Sequence, residues 1–154
     1  MKTQFAFVLA LGLTFPWQVS LAATTGAVFT GAVENTCVLT VGTPGVITPN
    51  SAYTVMSSKN ALGSQSTVAA LVTGGTFSVS TVAPSSFTVG DSTNVSFASS
   101  YSLSGATSAT DITGLTATQI LPGVTNIEVD LTATKSTSNF VTGAYNATVT
   151  VRCE

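Results

Sequence analysis

The stretch from Gly143 to Glu154 alternates with a period of two: Tyr145, Ala147, Val149, Val151 and Cys153 are apolar, and Asn146, Thr148, Thr150, Arg152 and Glu154 between them are polar. Successive side chains of a strand point to opposite faces, so this pattern predicts a half-buried β-strand from Tyr145 to Cys153. The same period returns upstream, with Ile127, Val129, Leu131 and Ala133 on an inward face and Glu128, Asp130, Thr132 and Thr134 on an outward one. A third run sets Val95, Phe97, Ser99, Tyr101 and Leu103 against mainly polar neighbours. Near the N-terminus, Phe29, Val33, Cys37, Leu39 and Val41 alternate with Thr30, Glu34, Thr36 and Thr40, which predicts an opening strand region broken near Gly31 or Asn35.

Turn signals punctuate these runs at Gly42-Thr43-Pro44-Gly45, Ala83-Pro84-Ser85-Ser86, Gly90-Asp91-Ser92 and Pro122-Gly123. Short strands are expected around Tyr53 to Ser57 and Thr116 to Ile120, whereas Ser104 to Gly114, rich in Ser, Thr, Ala and Gly, reads as a loop. The runs Thr67 to Thr73 and Thr76 to Val82 flank Gly74-Gly75. Glycine tolerates the positive φ of a primed turn, so this pair predicts a hairpin. About seven or eight short strands and no amphipathic helix argue for an all-β fold, a two-sheet antiparallel sandwich.

The first residues follow another logic. Lys2 precedes an apolar run from Phe5 to Phe15, Pro16 ends it, and small residues stand at Ser20 and Ala22. That is the layout of a secretory signal cleaved after Ala22. The run falls short of the roughly 20 apolar residues a membrane span needs, so residues 1–22 are expected to be removed and 23–154 to form one secreted domain with no membrane span.

Charge narrows the partners. Charged residues are 6% of the chain, and past the leader the cations are Lys59, Lys135 and Arg152 alone. Three isolated cations cannot build a phosphate-binding stripe, so nucleic acid is not an expected partner. The thiols are Cys37 and Cys153. In an oxidising compartment an internal disulfide is the leading expectation, with a reduced pair or a bridge between chains as the alternatives. Closing a loop of about 115 residues would stabilise the fold by up to ~4 to 5 kcal/mol in the chain-entropy picture.

Candidate chemistry is sparse. The chain has no histidine, which removes Ser-His and Cys-His nucleophiles and His-based zinc sites. Glu128 and Asp130, two apart on one strand face, would lie about 6 to 7 Å apart, a spacing near that of paired glycosidase carboxylates. Their outward position makes a solvated face the simpler reading. Asp91, Asp111 and Asp130 lack the ligand spacing of a calcium loop. No metal, cofactor or catalytic residue is therefore expected. Tyr101, Tyr145, Phe77 and Phe97 fall on apolar faces and read as core, and Phe87 and Phe140 as plugs over a sandwich end.

Asn35-Thr36-Cys37-Val38-Leu39 near the mature start, abundant Thr, Ser, Gly and Ala, and a closing Phe140-Val141-Thr142-Gly143-Ala144-Tyr145-Asn146-Ala147-Thr148-Val149-Thr150-Val151 together resemble bacterial fimbrial subunits. The resemblance is to the spore coat U-type and archaic chaperone-usher pilins. It implies an immunoglobulin-like sandwich that lacks one strand, filled by the N-terminal extension of a neighbouring subunit. Residues 24–36, with Val28, Phe29 and Val33 as anchors, would be that donor. It further implies a structural protein of the periplasm or cell surface, assembling with itself or with neighbouring surface subunits into a fibre or layer. Such pilins place the cysteine partner in an early strand, whereas here it is Cys153. A covalent link from first strand to last suggests instead a complete sandwich with Phe29 and Val33 in the protein's own first strand, the arrangement the sequence favours. The alternative function is a monomeric secreted binding module whose contacts lie on the loops Val41 to Ala52 and Ser104 to Gly114.

Overall fold

The computed structural model describes residues 23–154, so the leader reading of residues 1–22 lies outside it. Two units are distinguished, one reaching Gly31 and one from Ala32 to Glu154. In the first, residues 23–31 carry no regular secondary structure and are exposed.

The second unit is all-β. Its strands are β1 (Thr36–Val41), β2 (Thr48–Pro49), β3 (Val55–Ser57), β4 (Ser66–Thr73), β5 (Phe77–Val82), β6 (Val95–Gly105), β7 (Ala109–Thr113), β8 (Thr118–Ile120), β9 (Gly123–Lys135) and β10 (Thr150–Cys153). The spine is β9, which pairs with β6 from Val95↔Lys135 to Gly105↔Thr125. Its other edge is shared, β4 taking Gly123 to Val129 and β3 taking Thr132 to Thr134. Outer strands β1, β2 and β7 extend this into a seven-stranded sheet, and β10-β5-β8 forms a second, three-stranded one.

The hairpin expected across Gly74-Gly75 does not form. Both edges of β4 are taken, by β1 and β9, so β5 has no edge to pair with and joins the other sheet. The two glycines do adopt the left-handed conformation that a primed turn needs, with φ of 63° and 65°. Here it swings the chain between sheets, over Asn35, whose Oδ1 would lie 2.5 Å from a Cβ at Gly74. Ser104 to Gly114 also departs from expectation, because β6 runs on to Gly105 and β7 pairs back on it, leaving only a short turn.

Apolar side chains of β4, β6 and β9 meet Val79 of β5 and Ile120 of β8 to form the main core between the sheets. Tyr101, fully buried, ties the layers together: its Oη lies 2.6 Å from the Thr116 carbonyl, 2.8 Å from the Val79 carbonyl and 2.8 Å from Thr118 Oγ1. Tyr101→Phe would remove all three contacts from a buried site, and urea unfolding should show a loss of about 1–3 kcal/mol. A second cluster at the other end joins Met56, Ala133, Phe87 and Phe140. Both loop phenylalanines are buried, as plugs should be.

Candidate functional site

The first and last strands leave two edges unpaired. β1 pairs with β4 alone, and β10 pairs with β5 alone through Thr150↔Val82 to Cys153↔Val79. The expected strand from Tyr145 to Cys153 is only half realised, since Ala147, Thr148 and Val149 belong to no ladder and Asn146 makes a single bridge to Val89. Their burial nevertheless alternates, with Tyr145, Ala147, Val149 and Val151 turned inward and Asn146, Thr148 and Thr150 outward. An extended, unpaired stretch therefore faces the free edge of β1.

Between them lies an apolar groove of about 860 Å³. Leu39, Val41, Val46 and Ile47 line one side, Tyr145, Ala147, Val149 and Val151 the other, and Val68, Val129 and Leu131 are among the remaining lining residues. The lips are open to water: Val41 is 79% exposed and Val46 49%. Apolar side chains held in water along an unpaired backbone edge are the situation that natural sheets avoid unless a partner covers them.

Local chemistry holds the Tyr145 lip in place. The Asn146 N–H donates to the Val89 carbonyl at 2.9 Å, and the Tyr145 hydroxyl donates to the Val141 carbonyl at 2.9 Å. Gly90, at φ 108°, leaves room for the ring, because a Cβ there would sit 2.5 Å from Tyr145 Cδ1. Phe87 packs edge-on against Tyr145 at 5.1 Å between centroids, and Phe140 against Tyr145 at 5.4 Å. Behind them Lys135 Nζ reaches Asp91 Oδ2 at 2.6 Å and lies 5.5 Å from the Phe140 ring centre. That ammonium, helped by Thr93, holds the Asp91 carboxyl well below the usual carboxylate range.

At the opposite end the lips are joined covalently by a disulfide between Cys37 and Cys153, with Cα atoms 6.4 Å apart. Both sulfurs pack against the main core, as their strand faces predict. The bridge thus closes the two chain ends without filling the space between them.

Val28, Phe29 and Val33 are 88%, 93% and 81% exposed and lie in no strand. The opening strand begins only at Thr36, so Phe29 and Val33 do not form the protein's own first strand. The physical reason lies in β1 itself, whose pairing with β4 starts at Thr36↔Thr73, where β4 ends and the chain turns at Gly74. Sequence reasoning placed possible contacts on the loop Val41 to Ala52, which holds Val41, Val46 and Ile47, but did not join that loop to Val68 or to the closing strand in one groove. The one available signal was a pair of valines flanking the Gly42 to Gly45 turn, more apolar than a solvated turn requires.

Asp130 corrects another expectation. Its strand face is the outward one, yet it is 4% exposed, because the segment from Ser58 to Gln65 folds over it. Ser58 Oγ donates to Asp130 Oδ1 at 2.6 Å, Gln65 Nε2 donates to Oδ2 at 2.8 Å, and Lys59 Nζ lies 3.8 Å away. Lys59 also pairs with Asp111, and this hydrogen bond raises the lysine pKa and lowers that of the aspartate. Glu128 stays exposed, so the two carboxylates do not share an environment. Asp130→Ala would leave the buried Ser58 hydroxyl and the half-buried Gln65 amide without their acceptor and should lower unfolding stability by about 1–3 kcal/mol. Glu128→Ala should stay within about ±0.5 kcal/mol in the same measurement.

Among the described residues no group of three or more His, Cys, Asp or Glu side chains is placed to hold a metal ion, and no helix is long and apolar enough to cross a membrane. In comparisons with known proteins, no family model, no curated protein and no solved structure matches the chain.

Proposed function

We propose that this chain is a secreted, non-enzymatic structural subunit of fimbrial or coat type, which assembles with copies of itself at a bacterial surface by exchanging a strand. On this reading the domain is an immunoglobulin-like sandwich short of one strand, and residues 23–35 of a second copy complete it, Thr36 being taken up by that copy's own β1. The observation that carries the reading is the groove: apolar, open, and bounded by two unpaired backbone edges. Strand addition needs main-chain groups free to pair and pockets for alternate side chains, and both are present. The exposed segment offers a partner, because Ala23, Ala27, Phe29 and Val33 fall on one face of an extended chain, whereas Val28 falls on the other with Thr30 and Glu34. The few charges, on a surface rich in Thr, Ser and Gly, would let copies pack closely without strong repulsion.

A deletion of residues 23–33 tests this. The truncated protein should keep the thermal unfolding of the parent and remain monomeric by sedimentation, while the full mature chain forms fibres or sheets visible by electron microscopy. A peptide of residues 23–33 should bind the truncated protein and raise its unfolding temperature. A full chain that stays monomeric at every concentration would overturn the assembly reading. One observation favours a second reading, a monomeric binding module: the groove volume lies within the range of small-molecule sites, and the segment Pro44 to Ile47 of the Val41 to Ala52 loop helps line it. Apolar small molecules that stabilise the monomer, with no response to the peptide, would support that alternative.

A further inference from the structure

We propose that the Cys37–Cys153 bridge makes the groove a slot closed at one end, which takes the free N-terminal end of a strand from a second copy and rejects an internal segment. This rests on the reading that the groove accepts residues 23–35 of another copy. Neighbouring strands lie about 4.8 Å apart, so two strands with a third seated between them must stand about 9.6 Å apart. At the bridge the Cα atoms are 6.4 Å apart, too close to admit a strand. The groove begins immediately beyond it, at Leu39 and Val151, each two residues from its cysteine, and extends to Ile47 and Tyr145.

An incoming chain must therefore stop at the bridge or leave the groove there. Tyr145 to Val151 spans roughly 20 Å when extended, room for about six or seven residues of an added strand, so a donor whose free end meets the bridge seats residues 23–29, with Phe29 at the open end and Val33 beyond it. The donor segment is tethered on its C-terminal side to Thr36 of a folded domain, which cannot lie against a closed end. On the reading that a leader is removed after Ala22, its N-terminal side is free. That end meets the bridge, so the added strand runs parallel to β1 and antiparallel to the stretch from Tyr145 to Cys153. An internal segment, with chain continuing on both sides, would have to lift out before the bridge and forfeit the pairing nearest Leu39 and Val151.

The test uses the full mature chain, disulfide intact, at a concentration where sedimentation shows it monomeric. The probe is a synthetic peptide of residues 23–35 with a fluorophore at its C-terminus, its affinity read by anisotropy. Four prolines form a stiff extended spacer that cannot fold back easily. Added at the peptide's N-terminus they should raise Kd at least tenfold; placed between residue 35 and the fluorophore they should change it less than threefold. A benzophenone side chain in place of Thr24 should crosslink to residues 37–39 or 151–153. Equal tolerance of the two extensions, the reverse order, or crosslinks at Ile47 or Tyr145 would overturn the closed slot while leaving strand acceptance standing. A plain peptide that shows no saturable binding would overturn the underlying reading as well.

Discussion

Ile127→Asp is expected to unfold the domain. Ile127 is completely buried at the centre of the main core, paired across the sheet with Val68 on one side and Leu103 on the other. A carboxylate there would sit among the apolar side chains of the main core, and burying a charge in such surroundings costs several kcal/mol even when the group protonates to escape it. The loss should exceed about 4 kcal/mol, a large part of the stability of an ordinary domain. Loss of the cooperative transition in circular dichroism would register it. Glu128→Gln, one residue along and on the exposed face, should stay within about ±0.5 kcal/mol. Similar effects from the two would mean that β9 has been placed in the wrong register.

The second large effect belongs to the disulfide. Replacing Cys37 and Cys153 together by Ser should lower stability by about 2–5 kcal/mol, because the bridge constrains a long stretch of unfolded chain. The separation of 116 residues puts it among the longer loops, where that entropic effect is greatest. Denaturant titration should show a lower midpoint for the Ser variant, and the same shift should follow reduction of the native protein under mild conditions. No change in midpoint would show that the native chain ends are held by packing alone.

How far the sequence reaches depends on what each pattern encodes. Period-two alternation reports which side of an extended chain is buried, and for β6 and β9 it placed Tyr101, Leu103, Ile127 and Val129 correctly. It is silent about pairing. From Tyr145 to Val149 the alternation persists although no ladder forms, so a strand pattern there marks the lip of a groove. Gly74-Gly75 carried a true statement about φ and none about the partner strand, which was decided by the occupied edges of β4. Asp130 looked solvated because period two cannot foresee a loop folding over the outer face. β7 escaped notice because Ala109-Thr110-Asp111-Ile112-Thr113 has the composition of a loop and owes its strand state to the long neighbour β6. The groove itself arises from edges left without partners. Such vacancies are a property of the assembled sheets that no single stretch records.

The bridge also decides how the domain bears tension. A pull applied at Thr36 and Glu154 enters one residue before Cys37 and leaves one residue after Cys153, so the load crosses a covalent bond and bypasses the strands between them. The 116-residue separation represents about 400 Å of extended chain that such a pull cannot release while the bond is intact. Under load the protein would behave as a short, nearly inextensible link, and the non-covalent seams beside it would yield first.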